Sequence, residues 1–181
     1  MFGHTSKTDD IYVVDNSIDY ANQEALLGFC RNSLYSFGHS AQAHSPHDLS
    51  RFVSQLTAAE LAVTKLDTVF AALTQQYFKR SVSIDRSYIN AYFAYTPTAI
   101  HTDDYDPAAI TFMIYANTQW HADWAGETQF FNQSLDEVTR SILPRGGRSV
   151  LFPSNLPHTA RAPSVLCPVP RFTLTIKGFL T

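Results

Sequence analysis

His101-Thr102-Asp103, His158 and Arg171 are the residues of this chain whose types and spacing could do chemistry. His158 follows Asp103 by 55 residues and Arg171 follows His158 by 13. Two imidazoles and one carboxylate can cap one face of an Fe(II) ion and leave the opposite positions open for a cosubstrate and O₂. A cation one strand further on can hold the far carboxylate of that cosubstrate. If the four residues converge, the chain activates oxygen.

Each residue also has an ordinary structural reading. On a strand, residues i and i+2 project from one face, so His101 and Asp103 could reach one metal. A lone His-x-Asp nevertheless recurs by chance. His158 follows the strand-like Gly147-Arg148-Ser149-Val150-Leu151-Phe152 and a Pro-Ser-Asn-Leu-Pro turn, where an imidazole could simply be solvated. Arg171 opens Arg171-Phe172-Thr173-Leu174-Thr175-Ile176-Lys177, whose alternation puts Arg171, Thr173 and Thr175 on one face. Arg171 could pair with a surface carboxylate, worth little, or present its fork to a bound carboxylate beside a threonine hydroxyl. Competing candidates are His121-Ala122-Asp123 in a predicted loop, Asp104 on the wrong strand face, His44 and His47 in a polar segment, and Arg161 as a substitute for Arg171.

Elements able to position these residues are legible in the rest of the chain. With 181 residues, 45% hydrophobic and 16% charged, the composition is that of a folded protein, and one domain over 1–181 is expected. IYVVD at 11–15 predicts a strand, 20–31 a helix, and 33–50 a strand and a polar loop. A longer helix is predicted from about Thr57 to Phe78, opened by a Thr57/Glu60 capping box. After Arg80, Tyr-, Phe- and Ile-rich segments punctuated by Pro and Gly predict six to eight short strands. The expected fold class is therefore α+β: a helical part at about 1–80 packed against one sheet of a jelly-roll core at about 81–181.

These residues and their order resemble the 2-oxoglutarate/Fe(II)-dependent dioxygenases, in particular the small prolyl-4-hydroxylase-like branch. The resemblance runs from about Tyr88 to the end. It rests on Tyr92, His101-Thr102-Asp103, Trp124-Ala125-Gly126-Glu127-Thr128, the Gly147–Phe152 strand, His158 and Arg171-Phe172-Thr173. It implies a double-stranded β-helix in which His101, Asp103 and His158 ligate Fe(II) and Arg171 binds the distal carboxylate of 2-oxoglutarate. Thr173 or Thr175 would add a hydroxyl and Tyr92 would help hold the cosubstrate, with Tyr88 and Tyr95 as competitors. Implied with it are O₂ as second cosubstrate, ascorbate as a stimulant, and succinate and CO₂ as coproducts. An Fe(II)–2-oxoglutarate charge-transfer absorption in the green is implied as well. Asp103 at the carboxylate position favours hydroxylation, or a desaturation or cyclisation begun by the same hydrogen abstraction, over halogenation.

A compact chain suits a small metabolite or amino-acid-derived substrate, with a peptidyl, prolyl-type hydroxylase as the runner-up. The competing class is a non-catalytic cupin-like binding protein, which would need another ligand set. A net charge of −3 and the absence of a basic run disfavour nucleic acid as partner. Cys30 and Cys167 lack metal-site spacing and are expected to be reduced thiols. With no apolar leader and no run of 18 apolar residues, no membrane partner and a cytoplasmic location are expected.

Overall fold

The computed structural model describes residues 5–8, 10–38, 51–96 and 99–181. An eight-stranded antiparallel sheet dominates it. In chain order its strands are β1 (Thr5–Thr8), β2 (Ile11–Val14), β3 (Ser36–Phe37), β4 (Phe52–Leu56), β5 (Val82–Tyr92), β6 (Ala109–Tyr115), β9 (Ser149–Pro153) and β11 (Arg171–Leu180). They lie in the order β1-β2-β9-β6-β11-β5-β4-β3. A three-stranded sheet, β10-β7-β8, is made of β7 (Thr128–Phe131), β8 (Val138–Ile142) and β10 (His158–Ala160). Two antiparallel sheets with α1 (Tyr20–Asn32), α2 (Ala58–Thr64) and α3 (Leu66–Phe78) form the expected α+β jelly-roll core with helices against one sheet.

Alternation along the strands of the large sheet separates packing from chemistry. Ile89, Ala91, Ile110, Phe112, Ile114, Leu151, Phe172, Leu174 and Ile176 point to one face and bury against Leu26, Leu27, Cys30, Leu66, Phe70 and Leu73 of the helices. Filling that layer is worth roughly 1.5–3 kcal/mol per large side chain. The opposite face carries Tyr88, Asn90, Tyr92, Thr111, Met113, Arg171, Thr173 and Thr175, which line a cavity. A smaller apolar cluster, including Met113, Tyr115, Phe130, Ile142, Val150 and Phe152, closes the two sheets against each other beside it.

Local sequence accounts for the element ends. Asp19 caps α1 by accepting from the Asn22 N–H at 2.8 Å. Thr57 and Glu60 form the predicted capping box. Just before β9, Gly147 has φ +67°, a left-handed conformation that favours glycine, and packs against the Gln23 side chain of α1. Arg148 then donates from Nε and Nη2 to both Asp15 oxygens, at 2.6 and 3.1 Å, and ties β9 to the end of β2.

Three expectations are corrected. The predicted single helix is two, because Lys65 adopts a left-handed φ of 58° between α2 and α3. The region before residue 80 is not merely helical: β1 to β4 extend the large sheet, and β4 pairs with β5. The strands are not uniformly short, since β5 and β11 run 11 and 10 residues. His44 and His47 lie outside the described residues.

Candidate metal centre and cosubstrate pocket

His101 and His158 face each other across an isolated antiparallel bridge, each donating its N–H to the other's carbonyl at 2.9 Å. His158 then opens β10, held against Phe130 of β7. Neither ring is free to choose its tautomer. His101 Nδ1 lies 3.0 Å from Ala99 O, and His158 Nδ1 lies 2.9 Å from Leu156 O. A carbonyl only accepts, so both Nδ1 atoms carry the proton and both Nε2 atoms present a lone pair. Carbonyl anchoring of this kind orients metal-binding imidazoles.

The two lone pairs converge on Asp103. His101 Nε2 is 3.6 Å from Asp103 Oδ1, and His158 Nε2 is 3.6 Å from Oδ2. Among the described residues, these three form the one group of three or more His, Cys, Asp or Glu side chains near enough to hold a metal ion. The convergence does not arise from a regular strand, as i, i+2 reasoning assumed. His101 makes only the isolated bridge, and Asp103 is set by its own N–H donating to Ser154 O at 2.8 Å. Asp104 donates from N to the same carbonyl, while its side chain accepts from Asp106 N, away from the histidines.

Both Asp103 oxygens are held. Thr111 Oγ1 donates to Oδ2 at 2.7 Å, so its contact with Ser154 Oγ at 2.9 Å has serine as donor. Lys177 Nζ donates to Oδ1 at 2.6 Å, and its side chain is 7% exposed. Burial alone would raise the Asp103 pKa, but His158, His101 and Lys177 outweigh it and keep the carboxyl well below the usual range. Burial pushes His158 down to about 4, so its ring is neutral at pH 7 and able to ligate. Lys177 is the cation in direct hydrogen-bond contact with Asp103. Its own pKa is lowered by burial while Asp103 pulls it back.

Arg171, at the start of β11, is 0% exposed. Its Nε donates to Gly126 O at 2.6 Å and its Nη2 to Thr128 Oγ1 at 2.9 Å, with the guanidinium over the rings of Tyr92 and Tyr115. Its Nη1 is buried with no hydrogen-bond partner, and no carboxylate among the described residues pairs with this cation. A buried charge left so is costly, so the arrangement suits an anion entering the cavity that the metal group also lines. The residues thus fit both groups: three oriented metal donors and a guanidinium prepared for a carboxylate. Gly126, at φ +80°, makes that guanidinium position possible, because a Cβ there would come within 3.2 Å of Arg171 Cδ and 3.0 Å of the Trp120 ring.

The cavity brings together His101, Asp103, His158, Arg171, Tyr92 and Thr173, with Tyr88 and Thr175. Tyr92 is buried beneath Arg171, whereas Tyr95 is 84% exposed and faces elsewhere. Arg161 is exposed on the surface and does not take Arg171's place. The His121-Ala122-Asp123 decoy is exposed at the 3-10 turn Ala122–Trp124, with His121 against Trp124 at 4.6 Å between ring centroids. Sequence reasoning missed Arg51, Thr111 and Lys177. Arg51 is buried just before β4 and donates from Nη1 to Tyr92 Oη at 3.3 Å. Lys177 continues the Arg171, Thr173, Thr175 alternation by one step, which was the available signal. Arg51 and Thr111 had none, because pairing of distant strands brings them in.

Comparison with known proteins bears on the family and the fold. Residues 88–176 match the family described as the 2OG-Fe(II) oxygenase superfamily. No curated protein shows a significant sequence match. Among solved structures, a Trichoplax adhaerens prolyl hydroxylase in complex with a hypoxia inducible factor degradation-domain peptide superposes with TM-score 0.74 at 16% identity, covering 95% of this chain and 84% of that one. A Pseudomonas putida prolyl-4-hydroxylase gives 0.71 at 16% identity over 96% and 94%. The non-heme α-ketoglutarate-dependent epimerase SnoN of nogalamycin biosynthesis gives 0.73 at 15% identity over 94% and 78%. At these identities the structures establish the fold, a double-stranded β-helix with helices on one side. No helix among the described residues is long and apolar enough to cross a membrane. With the superfamily match lying over the strands that build the pocket, this chain belongs to the 2OG-Fe(II) oxygenases, which are oxidoreductases using Fe(II), 2-oxoglutarate and O₂.

Proposed function

We propose that His101, Asp103 and His158 hold Fe(II), that Arg171 binds the distal carboxylate of 2-oxoglutarate with Tyr92 and Thr173 beside it, and that the enzyme hydroxylates an unactivated C–H bond of a small metabolite or amino-acid-derived substrate. The observation that carries the cosubstrate reading is the fully buried Arg171, whose Nη1 lacks a partner inside the cavity lined by the metal donors. Bound iron and 2-oxoglutarate supply the oxidising power for the C–H bond. The chain supplies the rest. Carbonyls at Ala99 and Leu156 fix the imidazole tautomers, Thr111 and Lys177 orient Asp103, and Gly126 and Thr128 aim the guanidinium. Phe152 and Met113 in the cavity wall keep water from the reacting centre.

A cleft of about 400 Å³ beside His101 supports a small substrate, since small-molecule sites occupy roughly 300–1,000 Å³. Ile100, Tyr105, Leu135 and Pro157 give it apolar walls, and Thr102, Gln133 and Asn155 give it uncharged polar groups. The cupin-type binding reading gives way to the superfamily assignment. The test is substrate-stimulated succinate release from the Fe(II)-loaded protein, screened over amino acids, secondary metabolites and proline-containing peptides. Stimulation by a small molecule is expected. Stimulation by peptides alone would make the enzyme a peptidyl hydroxylase instead.

A further inference from the structure

Of the two side chains that donate to Asp103 and orient it, Lys177 carries a full charge and Thr111 does not. Lys177 lies on β11, six residues beyond Arg171 and on the same face, and it is paired in register with Thr111 of β6 and Arg86 of β5. Its ammonium reaches Asp103 Oδ1 at 2.6 Å, with the Tyr88 ring 5.7 Å away, and the residue is 5% exposed. The other Asp103 oxygen takes a neutral donor, the Thr111 hydroxyl. A neutral donor orients a carboxylate and leaves its charge for a metal. A full positive charge orients it and competes for that charge.

Resting on the metal reading above, we propose that Lys177 is a positioning residue of the metal centre: its ammonium remains on Asp103 in the metal-loaded protein, leaves one carboxylate oxygen to the metal, and weakens binding of divalent metal. Lys177 is held in place by burial, because β5 and β6 flank its strand and its ammonium lies over the Tyr88 ring. Two cations then share one carboxylate at close range. Their repulsion, taken at an effective dielectric of about 20 or higher and reduced by solvent screening, weakens metal binding by something on the order of ten- to a hundredfold. Without metal, the same ammonium keeps Asp103 from being a lone buried charge. Lys177 would thus hold the empty site together and limit how tightly it fills.

The experiment compares wild type, Lys177→Met, Lys177→Gln and Lys177→Arg by calorimetric titration of metal-free protein with Mn(II), together with thermal unfolding of each without metal. The two uncharged variants should bind Mn(II) roughly ten- to a hundredfold more tightly than wild type, with a lower metal-free melting temperature and a larger stabilisation by Mn(II). Lys177→Arg, which keeps the charge, should follow wild type. Equal or weaker Mn(II) binding by the uncharged variants would overturn the proposal, as would an Arg variant that behaves like Met. Two uncharged side chains keep the test decisive if one of them fails to fold. Wild type that binds no Mn(II) would instead remove the metal reading, and the role of Lys177 with it.

Discussion

His101-Thr102-Asp103 and His121-Ala122-Asp123 are one three-residue pattern repeated 20 residues apart, and the fold uses them oppositely. The first is drawn inward. His101 bridges His158 through the backbone, Asp103 hangs from Ser154 O, and the Asp103 side chain is 3% exposed between two imidazoles. The second stays outside at a 3-10 turn, with no third donor near it among the described residues. Its neighbourhood reaches the pocket through Gly126, which packs beside Trp120 and accepts from Arg171 Nε. A His-x-Asp acquires metal chemistry from what faces it and what anchors each ring, not from its own spacing.

The strongest way to break that contrast is by substitution in both motifs. Asp103→Ala or His158→Ala should reduce succinate formation to background while circular dichroism reports an intact fold. Asp123→Ala and His121→Ala should leave activity close to wild type, with stability within about 0.5 kcal/mol. Loss of activity in the second pair and retention in the first would reverse the assignment. Next in size is Arg171→Ala. Removing one partner of a buried charge pair costs about 2–5 kcal/mol, so the KM for 2-oxoglutarate should rise roughly 30-fold or more. Arg171→Lys should fall between, as a point charge cannot reproduce the fork. An unchanged KM in steady-state kinetics would remove Arg171 from cosubstrate binding.

The contrast should also appear without metal, in the pH dependence of stability. His158 titrates at about 4 in the fold against 6.5 unperturbed. Between those values the unfolded chain binds more protons, so stability rises with pH. The contribution is complete above about 6.5 and is lost as pH falls through 4, for a total of roughly 3 kcal/mol. Urea unfolding across that window should show this slope, reduced in His158→Gln and kept in His121→Gln. A smaller effect than the loss of Arg171 is expected for Gly126→Ala, at roughly 1–3 kcal/mol, because the added Cβ meets Arg171 and Trp120 at a positive φ. It should lower the melting temperature and raise the KM for 2-oxoglutarate together. A change in melting temperature alone would uncouple Gly126 from the guanidinium.

What was legible beforehand follows the range of the physical signal. Strand alternation revealed the pocket face of Arg171, Thr173 and Thr175, and the Thr57/Glu60 box marked a helix start, because both are local. The break at Lys65 was hidden, since a left-handed lysine has no composition cue comparable to glycine. Thr111 and Arg51 were hidden because strand order brings them to the site, not nearness in the chain. The tautomers of His101 and His158 depend on carbonyls two residues earlier, and only the backbone path aims those carbonyls at the rings.

The central claim, that one cavity holds an Fe(II) ion on the His101–Asp103–His158 face and 2-oxoglutarate on Arg171, meets its most direct test in visible absorption under argon. Adding 2-oxoglutarate to the Fe(II)-loaded protein should produce a charge-transfer band in the green. The band should be lost in His158→Ala and should require far more 2-oxoglutarate in Arg171→Ala. Folded, iron-loaded wild-type protein that shows no such band at saturating 2-oxoglutarate would contradict the account.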